Sequence, residues 1–516
     1  MSKPIVAKQG IGEMTNVTGK YPYNREAYLN PSAEKNKIMN ESLNLDDVPW
    51  VWDLWEKHAK ERPQAEAIIH WDALGEPFRW TYEHLFEESL KIAQRLIIQG
   101  VKPGDVCALI MRHNSQFYPF YMGIALMGAI PAVLAYPNAR LHPDKFLHGL
   151  SGMAQKSGLD WVMTERDLEV IIGPLILNEH SSVKGIFFPL EWVQNLRETK
   201  WDHDLIKNNR SKVDSSAPFL LQHSSGTTGL QKAVILSHRA VLDHAERYAE
   251  SIGLTARDKV ISWLPLYHDM GLIAAFHMPL VFGIPSIQID TFQWLSAPAI
   301  FFQIISQEQA TLTWLPNFSY NFMAERVSDE DMANVDVSCL RMLINCSEIV
   351  RSGSHEKFFN RFRKYGIKKE SLAACYAVAE TTFAISQTPA GSGAASLVVD
   401  RGALGEGTVI PPKSENSKKV CMSSGKTIRD CSVKILDGKG VPLPEDRVGT
   451  IAVKSVSLFD GYRNNPEKTR EVLREGWYVS GDRGFLHEGE CYVIGRGDDV
   501  IIFAGRNIFP EDVEMP

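Results

Sequence analysis

The chain has 516 residues, more than one hydrophobic core organises, so two or more globular units are expected. Hydrophobic residues at 44% and charged residues at 23% exclude disorder of the whole chain, and a net charge of −7 argues against a nucleic-acid-binding surface. Seven scattered cysteines (Cys107, Cys339, Cys346, Cys375, Cys421, Cys431 and Cys491) form no C-x-x-C pair, which supports neither a disulfide framework nor a zinc knuckle and suits a reducing cytoplasm.

In chain order, residues 1–47 read as a polar extension without an apolar signal core. From residue 48 strand and helix alternate. "EAIIHW" (66–71) reads as a strand, and Thr81 caps a helix with Leu85, Ile92, Ala93 and Leu96 on one face and Gly100 at its end. "VCALIM" (106–111) is the next strand. The run Asn114–Ala139 carries no charge and is long enough to span a bilayer, but Pro119 and Pro131 interrupt it and Gly128 falls where a helix from Gln116 would end. Helix, glycine stop and buried strand (Pro131–Tyr136) is the simpler reading. "DWVMTE" (160–165) completes a succession that builds a mainly parallel sheet over 48–215, and a second α/β region spans 216–395. Over 396–495, "SVKILDGKGVPL", "GTIAVKSV" and "GFLHEGECYVIG" alternate around glycine turns as a small β-rich subdomain, leaving 496–516 as its C-terminal neighbour.

"SSGTTGLQK" (224–232) lies at the end of the first strand of the second region. It is not the P-loop of common NTPases, because Gln231 and Ala233 stand where Gly and Ser/Thr belong. Its four hydroxyls, two glycines and Lys232 can still face an anion, although a plain Ser/Thr/Gly turn has the same composition. "CYAVAETTF" (375–383) sets Glu380 four positions after Tyr376, a carboxylate for Mg²⁺ and a ring face for adenine. "WYVSGDRG" (477–484) puts Asp482 in a turn, where its oxygens can bind vicinal ribose hydroxyls. "IGRGDDVIIFAGRN" (494–507) adds Arg496, Asp498 and Arg506.

In this order, these motifs make the chain resemble the adenylate-forming (acyl- and aryl-adenylate ligase) superfamily from residue 50 to 516. The resemblance implies an α/β fold of two stacked, mainly parallel sheets flanked by helices, with a small β-barrel-like subdomain. It implies that Ser224, Ser225, Gly226, Thr227, Thr228, Gly229 and Lys232 hold the β- and γ-phosphates of ATP. Cys375, Tyr376 and Ala377 would line the adenine site with Cys346, Ser347 and Glu348. Glu380 would bind Mg²⁺, Asp482 and Arg496 the ribose, and residues 496–516, with Asp498, would be the hinge and the start of a small C-terminal domain that is otherwise expected to be absent. Two departures stand out: Cys346-Ser347 replaces the usual Gly-Ala, and Ala377 a frequent Gly.

"SWLPLYHDMGL" (262–272) contains His268 next to Asp269, which is either a helix-start polar cluster or a catalytic pair; by resemblance the histidine lies between acyl pocket and reacting carboxylate, so the catalytic set is Lys232, His268 and Glu380. "TWLPNFSYNFMAERV" (313–327) resembles the fatty acyl-AMP ligase branch. Its Trp314, Phe318, Tyr320, Phe322 and Met323 wall an apolar tunnel or are ordinary core, and the acyl pocket implied is Trp263, His268, Asn317, Phe318, Ser319 and Phe322. Segment 395–412 resembles the branch's insertion, which restrains a mobile C-terminal domain from the CoA-using arrangement. The implied reaction is ATP- and Mg²⁺-dependent activation of a medium- or long-chain fatty acid to its adenylate, releasing pyrophosphate, for transfer to the phosphopantetheine thiol of an acyl carrier protein. A fatty acyl-CoA ligase is the alternative. A third reading is an adenylate-binding protein without efficient catalysis, since no lysine follows Lys468 while the family's small C-terminal domain carries a catalytic one. No nucleic-acid partner and no transmembrane segment are expected.

Overall fold

The computed structural model describes residues 45–72, 75–137, 143–177, 181–196, 200–224, 231–497, 501–503 and 506–508. The helix expected after Thr81 runs over Tyr82–Ile98; the Thr81 hydroxyl accepts the His84 N–H, Leu85, Ile92, Ala93 and Leu96 are buried, and Gly100 turns the chain with φ 92°. The uncharged run folds as a helix over Phe117–Leu126, every residue of it buried, then Gly128 at φ 87° and a strand at Ile130–Val133. Among the described residues no helix is long and apolar enough to cross a membrane.

Two sheets organise the molecule. The first has six strands in the order Gly185–Phe187, Trp161–Thr164, Val106–Ile110, Ile130–Val133, Pro218–Ser224 and Lys232–Ser237; the first five are parallel and the last antiparallel. The second has fifteen strands. Its parallel part runs from Leu372–Ala377 through Met342–Asn345, Leu312–Leu315, Val260–Ser262 and Ser286–Ile289 to Glu66–Trp71. One continuous apolar core joins a face of the first sheet (Cys107, Leu109, Phe219) to the second (Ile261, Trp314, Ile344) through helices Val51–Glu61, Tyr82–Ile98 and Phe117–Leu126.

Strand membership crosses the division expected near residue 215. Glu66–Trp71 pairs with Ser286–Ile289 in the large sheet, while Pro218–Ser224 lies beside Ile130–Val133 in the small one. A strand buried on both faces reads as the same apolar run whichever sheet receives it.

The β-rich region is likewise a hydrogen-bonded continuation of the large sheet. Strand Ala384–Gln387 pairs with Lys426–Thr427, which pairs with Glu490–Arg496, and the order continues through Trp477–His487, Gly449–Ser455 and Cys431–Leu436. At this seam Gly425 has φ 85°, and a Cβ there would lie 2.0 Å from the Gln387 carbonyl carbon, so no other residue lets the strands approach. The segment expected to be an insertion forms a strand at Ser396–Asp400 and a short helix at Arg401–Gly405. The strand pairs antiparallel with Lys418–Met422. Val399, Leu404, Val409 and Cys421 bury this ribbon against Val448, Phe485, Tyr492 and Ile494 of the large sheet's antiparallel part.

Candidate active site

Strand Leu372–Ala377 brings Tyr376 to its end, where the register shifts between Tyr376 and Ala377. Across the sheet, Asp482 on Trp477–His487 is directly opposite Arg496 on Glu490–Arg496. The Tyr376 hydroxyl donates to Asp482 Oδ2 at 2.6 Å, and Arg496 Nε lies 3.4 Å from Oδ1. Ser480 Oγ accepts the Asp482 N–H at 3.1 Å within this strand, where a turn was expected. Burial holds the Asp482 carboxyl above its usual range, against the pull of the Tyr376 hydroxyl and the Arg496 guanidinium. Three residues expected to grip one nucleoside are thus in contact. A carboxylate offers about four lone-pair sites, so two remain for ribose hydroxyls.

Beyond Tyr376 the chain makes a tight turn. Val378 N–H donates to Phe383 O at 3.0 Å, and Thr382 takes φ 68°, ψ −51°, unusual for a β-branched residue. Its hydroxyl donates to Ser457 O at 2.9 Å, and Thr381 Oγ1 donates to Phe383 O at 2.9 Å. This turn presents Glu380, 7% exposed, whose Oε1 accepts the Tyr462 hydroxyl at 2.5 Å. Lys232 Nζ lies 5.3 Å from the centroid of the same Tyr462 ring. Tyr462 therefore joins the expected metal carboxylate to the expected phosphate lysine, and burial, with the Glu380 charge, raises its pKa. The segment bearing it runs along the Lys232–Ser237 strand: Ile235 N–H donates to Gly461 O and Arg463 N–H to Ala233 O. Ser224 and Lys232 are paired across the hairpin, at the base of the expected phosphate loop. Ser225, Gly226, Thr227, Thr228 and Gly229 lie outside the described residues, as does Asp498; of Ser224 and Arg506 only the backbone is described.

Gln222, on the strand leading to that loop, donates to Tyr267 O at 2.7 Å and ties it to the His268 segment. His268 is open to solvent yet crowded by protein at longer range, as a side chain in a cleft is, and burial lowers its pKa. Asp269 caps a π-helix, Met270–His277, accepting the Met270 N–H at 2.8 Å. This is the helix-start geometry. Burial, with the Glu380 charge adding to it, pushes the Asp269 carboxyl up to about 6. Gly271 is required here, because a Cβ would lie 2.4 Å from Pro265 O.

The expected acyl residues divide. Trp263, Phe318 and Phe322 gather around Trp294, with Trp263 and Trp294 stacked at 3.6 Å and Phe322 5.3 Å from Trp294. Asn317 is drawn instead into a polar network, donating to Ser354 Oγ and accepting from Asn345 and the Arg351 N–H, each at 3.1 Å. Ser319 is fully buried and donates to Pro316 O at 2.7 Å. Trp314, Tyr320 and Met323 are core: Trp314 Nε1 donates to the Tyr248 hydroxyl at 2.6 Å, and Tyr320 packs on His355 and Phe358. Near the expected adenine side, Cys346, just past strand Met342–Asn345, and Cys375, on the neighbouring strand, are buried, and Ala377 is half-buried. Ser347 is exposed at φ 71°, and Glu348 accepts the Phe318 N–H at 2.9 Å, capping the helix Asn317–Arg326.

Two residues of these clusters, Tyr462 and Trp294, were not found by the sequence reading. "FDGYRN" (459–464) offered a glycine turn with a buried aromatic as its signal, and Trp294 an isolated tryptophan after a strand.

The sequence profile of the AMP-binding enzyme family matches residues 55–463. A medium-chain-fatty-acid–[acyl-carrier-protein] ligase of Moorena producens, JamA, is 31% identical over 452 residues, covering 84% of this chain and 74% of the relative. A Caulobacter vibrioides protein provisionally named an acyl-CoA synthetase is 29% identical over 437 residues, covering 84% of this chain and 74% of that one. Among solved structures, the fatty acyl-adenylate ligase of L. pneumophila in complex with acyl adenylate and pyrophosphate is 27% identical with a TM-score of 0.78, covering 88% of this chain and 78% of the other. With the family profile spanning most of its length and a 31% identical relative covering 84% of it, this chain belongs to the AMP-binding, adenylate-forming enzyme family.

Proposed function

We propose that the chain joins a medium- or long-chain fatty acid to AMP, releasing pyrophosphate from ATP, and that the acyl group then passes to the phosphopantetheine thiol of an acyl carrier protein. The observation that carries the reading is the contact of Tyr376, Asp482 and Arg496 beside the Glu380–Tyr462–Lys232 line, which supplies a nucleoside grip next to a phosphate and metal grip. The names of JamA and of the L. pneumophila ligase support the fatty acid and the adenylate.

The incoming acid is a carboxylate, so its attack on the α-phosphate needs no base; it needs cations and donors that follow charge onto the leaving pyrophosphate. Lys232 provides a cation at the base of the phosphate loop, and the loop's hydroxyls and N–H groups provide donors. Glu380 suits Mg²⁺: it is a hard oxygen ligand, and among the described residues no hydrogen bond reaches its second oxygen. Mg²⁺, when bound, would draw charge from the phosphoryl oxygens of ATP. Tyr376 offers its ring to the purine and its hydroxyl to Asp482, so stacking and ribose binding are set by one side chain. His268, whose pKa is lowered by the protein crowding it, can donate a hydrogen bond to the reacting carboxylate.

A fatty acyl-CoA ligase is the second reading, favoured by the name of the Caulobacter relative. The ribbon of residues 396–422, docked on the antiparallel strands, supports the carrier-protein reading. The test is incubation with ATP, Mg²⁺ and acids of eight to sixteen carbons, with mass spectrometry for acyl-adenylates, followed by CoA or a phosphopantetheinylated carrier protein. No adenylate from any fatty acid would overturn the reading. Acyl-CoA formed as readily as acyl-carrier protein would transfer the assignment to the second.

A further inference from the structure

Trp263 and Trp294 stack with ring centroids 3.6 Å apart and planes 3° from parallel. So small a lateral offset is the arrangement that ring quadrupoles disfavour. Both indole N–H groups are shielded from solvent and meet no acceptor among the described residues. The pair therefore owes its place to its surroundings: Phe318 stands edge-on to both rings at 6.2 Å, and Phe322 lies 5.3 Å from Trp294. Trp294 is 1% exposed, yet it stands on a six-residue helix, Thr291–Ser296, whose Phe292 is 61% and Leu295 47% exposed. Phe318, at 45%, continues the same apolar rim. One hydrogen bond, Thr291 Oγ1 to Trp263 O at 2.7 Å, ties the start of that helix to the partner tryptophan.

We propose that Trp294 is the movable wall of the acyl channel and the residue that sets chain length, an aliphatic chain entering beneath the rim of Phe292, Leu295 and Phe318 and replacing the Trp294 ring against the face of Trp263. The proposal rests on the fatty-acid reading above. Four aromatic rings, with two indole N–H groups as their polar atoms, suit hydrocarbon and offer no cation to a second carboxylate. Parting the stack forfeits little, because its geometry is electrostatically poor and the chain restores the apolar contact. Acids too short to reach the stack leave it closed. Longer acids gain about fourfold in affinity for each further methylene admitted.

A close parallel indole pair couples its transitions and gives an exciton couplet in circular dichroism, a signal independent of catalysis. The wild-type protein is titrated with acetate, octanoate, dodecanoate and hexadecanoate, each acid's binding being followed by calorimetry; Trp294→Ala and Trp294→Phe are then compared for binding and for acyl-adenylate formation. Dodecanoate is expected to collapse the couplet and acetate to leave it. Trp294→Ala should shift the preferred acid to longer chains, with Trp294→Phe between the two. Acids that bind while the couplet persists, with the same chain-length profile in wild type and Trp294→Phe, would overturn the proposal and leave the fatty-acid reading standing. Failure of every acid to bind would overturn both. The wild-type titration decides the matter even where the alanine variant does not fold.

Discussion

At Glu380 one carboxylate oxygen is occupied by the Tyr462 hydroxyl, and the ring beneath that hydroxyl faces Lys232. Tyr462→Phe keeps the ring and removes the hydrogen bond. A hydrogen bond to a charged group is worth about 1.5–3 kcal/mol, so kcat/KM for MgATP should fall by roughly 10–100-fold. The Mg²⁺ dependence of pyrophosphate release should move to higher concentration, while AMP binding without Mg²⁺ stays unchanged; an unaltered Mg²⁺ profile would count against the positioning role. If Lys232 holds the β- and γ-phosphates as proposed, Lys232→Ala should weaken ATP binding far more than AMP binding by calorimetry. Equal losses would remove it from that role. Tyr376, Glu380 and Asp482 were legible because each sits in a short sequence motif. Tyr462 was not, because its partner lies 82 positions away and only folding brings the two together.

Among elements, the ribbon of Ser396–Asp400 and Lys418–Met422 shows where pattern reading stops. "SLVVD" announces a strand, but "KKVCM" opens on two lysines, and its role appears only once Val399 and Cys421 are seen packed on Phe485 and Tyr492. The sheet assignments of Glu66–Trp71 and Pro218–Ser224 were hidden for a related reason: periodicity states that a strand is buried and leaves its neighbours open. Val399→Asp places a charge in the ribbon's core, where an unpaired carboxylate costs several kcal/mol. The ribbon should undock, raising the rate of proteolysis within residues 401–417 by about tenfold or more, with ATP binding retained within about twofold. Loss of nucleotide binding in step with proteolysis would mean that the ribbon supports the site itself.

For the whole molecule, acid is the expected weakness. Burial lowers the pKa of His58, His223 and His355 to about 4 and of His70, His238, His244 and His277 to about 3. In the unfolded chain these groups titrate near the ordinary 6.5, so below that pH the unfolded state binds more protons and stability falls with acidification until the folded values are reached. Each costs on the order of 2 kcal/mol by pH 5. Urea midpoints should be level from pH 8 to 7 and drop steeply from 6.5 to 5; a flat profile would show that these rings are protonated in the fold. The same scale gives the two-residue strand Lys426–Thr427 a particular importance. It is the narrow waist through which the parallel strands and Ala384–Gln387 are joined to the β-rich region, and Tyr376 and Asp482 stand on opposite sides of it. A nucleotide held by both residues is then a rivet across the waist. AMP should slow amide exchange at Cys491, whose N–H donates to Gly425 O, while leaving Val106–Ile110 unaffected. Once such a nucleotide departs, the rivet would be drawn and the sheet left free to flex along that line.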